Sequence, residues 1–129
     1  VVGDGRDRAR LEAEAPPNVH FVGWKSGIEL RDLYLRSSAL VFPSEDDFGI
    51  VPVEAMACGT PVVAFARGGA LDTVVADETG VLFDAQETES LLAALAVARQ
   101  VNWKAEEVSR LTTDRFGPRR FAAALSAQL

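Results

Sequence analysis

Histidine and cysteine are almost missing from this chain of 129 residues, which has one of each, His20 and Cys58. A single cysteine cannot close an internal disulfide or supply a cysteine-based zinc site. A reducing cytoplasm is the default expectation for such a chain. Apolar stretches are short: runs such as residues 61–66 and 93–98 fall far below the length that crosses a bilayer. Basic residues are in deficit, 13 Lys and Arg against 19 Asp and Glu, for a net charge of −6. That balance excludes the electrostatic footprint of a nucleic-acid binder and a general pull toward anionic lipid. The one basic cluster, Arg115, Arg119 and Arg120, reads as a solvated helix face. Residues 1–5 have neither the basic start nor the apolar stretch of a signal peptide. No metal site is evident.

What is present is an ordinary globular composition, 48% hydrophobic and 25% charged, long enough for one domain with a real core. Val1-Val2-Gly3-Asp4-Gly5 reads as the end of a buried strand followed by a glycine turn. A two-residue strand is an unusual start for a domain, so the chain is expected to be a piece of a longer protein.

The elements alternate. Residues 6–15 form helices well and are stopped by Pro16-Pro17. Residues 19–22 read as a short strand ended by Gly23, which makes His20 a packing or surface residue rather than a catalyst. Ser26 is placed to cap a helix over residues 28–36, with Leu30, Leu33 and Tyr34 at helical spacing. Residues 39–42 are a continuous apolar run, as in a parallel strand covered on both faces. A helix is expected over residues 52–58, with proline in its first turn and Gly59 just past its end. Residues 61–65 are a further buried strand, Arg67-Gly68-Gly69-Ala70 a loop leading into a short helix to Val75, and residues 80–83 a last strand. Helices follow over residues 87–100, with Leu91, Leu92, Leu95 and Ala98 on one face, then over 103–111 and 118–129. Met56 and the later leucines read as core, and Cys58 as a small buried hydrophobe.

This order predicts an α/β fold, a Rossmann-like parallel sheet flanked by helices. Ligands in such sheets bind beyond the carboxyl ends of the strands. The loops after Val22, Phe42 and Phe65 all fall at that end.

The richest stretch is Ser44-Glu45-Asp46-Asp47-Phe48-Gly49-Ile50-Val51-Pro52-Val53-Glu54-Ala55-Met56-Ala57-Cys58-Gly59-Thr60-Pro61. Gly49 lets the backbone pass close to a ligand. The amides of Gly49, Ile50 and Val51 lack an intrahelical acceptor and can face an anion, and Pro52 has no amide to waste. Glu54, in the expected first turn, can only accept hydrogen bonds when ionised, which suits a diol rather than a phosphate. Amides for phosphate beside an acid for hydroxyls describe a nucleotide-sugar site. The plain alternative is that Glu54 answers the helix dipole, Phe48 is a hydrophobic staple and the acids are a solvated loop.

Over its full length the stretch resembles the signature of retaining glycosyltransferases with two Rossmann-like domains, the family of glycogen synthases and bacterial mannosyltransferases. That signature is an acid, seven residues and a glutamate, within Glu-Gly-Phe-Gly-Leu-Pro-Pro-Leu-Glu-Ala-Met-Ala-Cys-Gly. The variant Asp-Phe-Gly-Ile-Val-Pro-Val-Glu is similar to that of enzymes acting on GDP-mannose in surface-polysaccharide assembly. Phe21-Val22-Gly23, Pro61-Val62-Val63-Ala64, Gly68-Gly69 and Thr79-Gly80-Val81-Leu82-Phe83 follow in the family's order, so the resemblance runs from Val1 to about Ala98.

The resemblance implies that residues 1–129 are part of the C-terminal, donor-binding domain of a GT-B enzyme. The domain's first strand and helix, the basic pair that neutralises the diphosphate and the N-terminal acceptor domain would lie elsewhere. It implies that Glu54 holds the donor ribose and that Asp46 lies near the transferred sugar, making these the candidate catalytic residues. Asp46 is one methylene shorter than the family glutamate and is flanked by Glu45 and Asp47, either of which could take its role. Phe48, Gly49, Ile50 and Val51 would give backbone contacts to sugar and diphosphate. Gly23 and Trp24 would lie near the base, with Trp24 either a stacking surface or a packing residue. Gly68 and Gly69 would line the pocket edge or form an ordinary turn.

The implied function is transfer of a sugar, with GDP-mannose the favoured donor, to a hydroxyl acceptor with retention. The donor is a substrate and no cofactor or metal is implied. The acceptor, a sugar or lipid-linked sugar, would bind through the other domain, and the enzyme would be cytoplasmic or peripheral to the inner membrane. This chain alone is expected to be inactive. A nucleotide-sugar epimerase of the same architecture and a non-catalytic binding or scaffold domain are the rival readings.

Overall fold

The computed structural model describes residues 1–120 and 126. Residues 1–33 and 34–129 form two compact units, with the division falling inside one helix.

The first unit is built around the Gly3–Gly5 turn and helix α1 (Arg8–Glu14). No residue of α1 is buried. Side-chain pairs one turn apart, Arg8 with Glu12 and Arg10 with Glu14, line its surface. The strand expected over residues 19–22 does not form as a regular element. Val1 N donates to His20 O at 2.6 Å, Val22 N to Val1 O at 3.0 Å and Gly3 N to Gly23 O at 2.8 Å. The first two bonds are those of a parallel pair centred on Val1 and Phe21, too short to become a ladder. Helix α2 (Gly27–Leu35) then carries the chain from the first unit into the second.

The second unit holds a three-stranded parallel sheet in the order β1 (Leu40–Phe42), β2 (Val62–Phe65), β3 (Gly80–Phe83). Phe42 stands opposite Ala64, and Phe65 opposite Phe83. Every residue of β2 is buried, as the continuous apolar run required. Side chains alternate along it. Val63 and Phe65 join Val81, Phe83, Ala94 and Ala98 in one cluster, under α5 (Thr88–Gln100). Val62 and Ala64 face the opposite side, where α3 (Ile50–Ala57) packs on β1 and β2 and the short α4 (Ala70–Thr73) packs beside α3. Met56 of α3 is fully buried.

Three expectations about packing change. Leu92 turns outward and is 57% exposed, while Ala94 takes the core place on α5. Cys58 is half-buried rather than buried. Helix α6 (Ala105–Phe116) starts later and runs longer than expected, because Trp103 folds back to donate its indole N–H to Ala98 O at 2.8 Å. The helix expected over residues 118–129 falls largely outside the described residues; 118–120 are helical.

Candidate functional site

Because the three strands are parallel, the loops after Phe42 and Phe65 leave the sheet at the same edge. The first of these carries the acids, and the second carries Gly68 and Gly69. They meet: Gly69 N donates to Asp46 O at 2.7 Å. A Cβ on Gly69 would overlap the carbonyl of Phe48, and one on Gly68 would overlap the carbonyl of Asp46. These glycines are therefore a backbone-to-backbone contact that seats the acid loop, a more specific arrangement than a free turn.

Gly49 is the N-cap of α3, with φ 76 and ψ 50, a left-handed conformation that glycine adopts without strain. The first bond into the helix runs from Val53 N to Gly49 O at 3.3 Å. The amides of Gly49, Ile50 and Val51 lie before it and have no acceptor among the described residues. The buried Pro52 has no N–H. Three amides without an intrahelical acceptor thus stand at the positive end of α3, directly after the acid loop.

The helix begins at Ile50, two residues before the expected start, which moves Glu54 out of the first turn and into the second. A dipole interaction fades beyond the first turn, so the plain account of Glu54 as a dipole-stabilised acid loses its basis. Glu54 is exposed, and Oε2 accepts a hydrogen bond from the Tyr34 hydroxyl at 3.4 Å. Tyr34 is 7% exposed. Its burial first, then the neighbouring Glu54 carboxylate, push the phenol up to about 12, so it stays protonated and remains a donor. Thr60 anchors the same residue by donating from Oγ1 to Tyr34 O at 2.6 Å. In the sequence Tyr34 stands out only as a helix-face residue. Its 20-residue separation from Glu54 gives no local signal.

Asp46, Asp47 and Glu45 are all exposed. Asp46 alone among them folds back on the loop: Oδ1 accepts from Phe48 N at 3.4 Å, in the manner of an Asx turn. Phe48 is 54% exposed, and its ring meets the edge of Phe116 at a centroid distance of 6.4 Å. Its aromatic partner thus lies on α6.

Gly23 and Trp24 belong to the first unit. Trp24 N donates to Asp4 Oδ2 at 2.8 Å, and Asp4 also pairs with Arg8. The Arg8 bond, then the Trp24 amide, hold the Asp4 carboxyl below the usual carboxylate range. The Trp24 backbone is thereby fixed while its ring is 71% exposed, so the ring is not packed within this unit. Among the described residues no helix is long and apolar enough to cross a membrane, and no cluster of three His, Cys, Asp or Glu side chains could hold a metal ion.

Residues 1–108 match the family described as glycosyl transferases group 1. A GDP-mannose-dependent alpha-mannosyltransferase of Mycobacterium tuberculosis is 40% identical over 93 residues, 71% of this chain and 24% of that protein. The sucrose-phosphate synthase of Thermosynechococcus elongatus superposes with a TM-score of 0.80 at 31% identity, over 96% of this chain and 34% of that one. The Anabaena protein HepE, solved in complex with UDP and glucose, superposes with a TM-score of 0.74 at 23% identity, over 98% and 39%. The chain thus spans well under half the length of each of these relatives. A parallel sheet with an open helix start at its carboxyl edge, matched along residues 1–108, settles the kinship: the chain belongs to the group 1 glycosyl transferases and has the Rossmann-like fold of their GT-B architecture.

Proposed function

We propose that this chain forms the donor side of a retaining glycosyltransferase active site. In this reading the amides of Gly49, Ile50 and Val51 receive the diphosphate, and Glu54 receives the ribose hydroxyls. Asp46 lies by the transferred hexose, and Gly68 and Gly69 seat the loop.

The observation that carries the reading is the pairing of three unpaired amides with an exposed carboxylate one turn along α3. A phosphate needs donors and a diol needs acceptors, and the two lie on one helix at the right end of the sheet. During transfer, charge builds on the departing diphosphate. Fixed amides stabilise that charge without having to reorganise. Tyr34 leaves Glu54 Oε1 free to accept from a ribose hydroxyl while Oε2 is held.

GDP-mannose is the favoured donor. Its support is the Asp-Phe-Gly-Ile-Val-Pro-Val-Glu string and the 40% identity to a relative named for that donor. The acceptor, a sugar or lipid-linked sugar, would bind on the second domain of the complete enzyme, on the cytoplasmic side of the membrane. The donor acts as substrate, and no cofactor is part of the reading. Calorimetric titration of the complete polypeptide with GDP and UDP tests it. GDP binding that is lost in Glu54→Ala supports the reading, and unchanged binding in that variant removes the ribose role.

A further inference from the structure

Helix α6 runs back along α3. Ser109 Oγ donates to Ala57 O at 2.7 Å near the end of α3, and one helical length later Phe116 reaches Phe48, beside its start. The two rings meet edge to face, 84° apart. The adjacent Arg115 lies over the Phe116 ring at 5.0 Å and donates to Asp72 O at 2.7 Å and Thr73 O at 3.5 Å. Those carbonyls are the open end of α4, a four-residue helix too short to hold itself. Gly69, which seats the acid loop, is the N-cap of that same α4. The last turn of α6 therefore grips both partners of the loop contact: the ring of Phe48 on one side and the far end of α4 on the other. Arg115 is thus an exposed side chain that also ties the end of α4 through two carbonyls.

We propose that Arg115 and Phe116 are positioning residues for the donor loop. They register Phe48, and with it the Gly49–Val51 amides, against Gly69. The inference rests on the donor reading above for its functional consequence.

The test uses Phe116→Ala, Phe116→Tyr and Arg115→Gln in the complete polypeptide, with amide exchange read at Gly69 and at Ala64. The Gly69 amide, bonded to Asp46 O, should exchange about three- to tenfold faster in Phe116→Ala, the loss of one aromatic edge contact. Ala64 in β2 should not change. KM for the nucleotide-sugar donor should rise by a similar factor with kcat within about twofold. Phe116→Tyr should restore both readouts. Arg115→Gln, an exposed substitution that leaves the core and both rings in place, should speed Gly69 exchange by freeing the Asp72 and Thr73 carbonyls. Unchanged Gly69 exchange in both Phe116→Ala and Arg115→Gln overturns the strut. Faster exchange with unchanged donor KM overturns its role in positioning. If the unsubstituted protein binds no nucleotide, the donor reading fails while the exchange data still decide the strut.

Discussion

Tyr34 and Glu54 stand 20 residues apart, and the buried phenol donates to the exposed carboxylate at 3.4 Å. Tyr34 thereby holds one oxygen of Glu54, and in the proposed site the other oxygen would accept from a ribose hydroxyl. Tyr34→Phe removes the donor and little else. It should lower donor affinity several-fold and stability by about 0.5–1.5 kcal/mol, the net contribution of one hydrogen bond. Paired titration and thermal melts of the two proteins check both values.

The same pair predicts a pH dependence. The phenol is raised from 10.0 to about 12 in the fold, by burial first and by Glu54 second. The folded state thus keeps its proton where the unfolded chain has lost it. This stabilising term is fully present below pH 10 and is lost as pH rises from 10 toward about 12. Denaturant melts across that range should show a steeper loss of stability in the native protein than in Tyr34→Phe.

Glu54→Gln tests the ribose role without disturbing the core, since Glu54 is exposed. A hydrogen bond to a charged acceptor contributes about 1.5–3 kcal/mol, so nucleotide affinity should fall roughly 10- to 100-fold. The melting temperature should stay close to that of the parent.

Gly69→Ala tests the seat of the acid loop. The added Cβ overlaps the Phe48 carbonyl, and the backbone there cannot yield without moving α4 or the loop. Stability should fall by about 1–3 kcal/mol, as for an overpacked site. Donor affinity should fall with it, which calorimetry at a temperature well below the melt would show.

Asp46→Asn, compared with Glu45→Gln and Asp47→Asn, identifies the first acid. Asp46 is the one that folds back on the Phe48 amide and whose carbonyl meets Gly69. Its variant should lose at least about tenfold in kcat, as when one charge-stabilising group is removed, with the other two close to normal.

The strands and α3 were legible because their signals are local. Residues 61–65 are a continuous apolar run, and Pro43, Pro52 and Gly59 punctuate the chain around α3. The open amides followed from the same punctuation. The contacts that organise the site were not legible, because they join positions far apart in sequence. Tyr34 at helical spacing looks like any core residue until the fold brings Glu54 beside it. Arg115 is a surface charge, as its sequence suggests, but its contacts with the Asp72 and Thr73 carbonyls come only from the fold that lays α6 along α3. Residues 19–22 show the opposite error. They are mostly apolar and end in glycine like a strand, yet strand identity needs a partner, and Val1 bonds to them only at His20 and Val22.

In the proposed site α3 receives a nucleotide diphosphate and Glu54 completes the contact. Isothermal titration of the complete polypeptide and its Glu54→Ala variant with GDP and UDP measures it most directly. Saturable GDP binding is expected, weakened at least about tenfold in the variant by the loss of one charge-assisted hydrogen bond. Binding of neither nucleotide, or equal binding by both proteins, would contradict it.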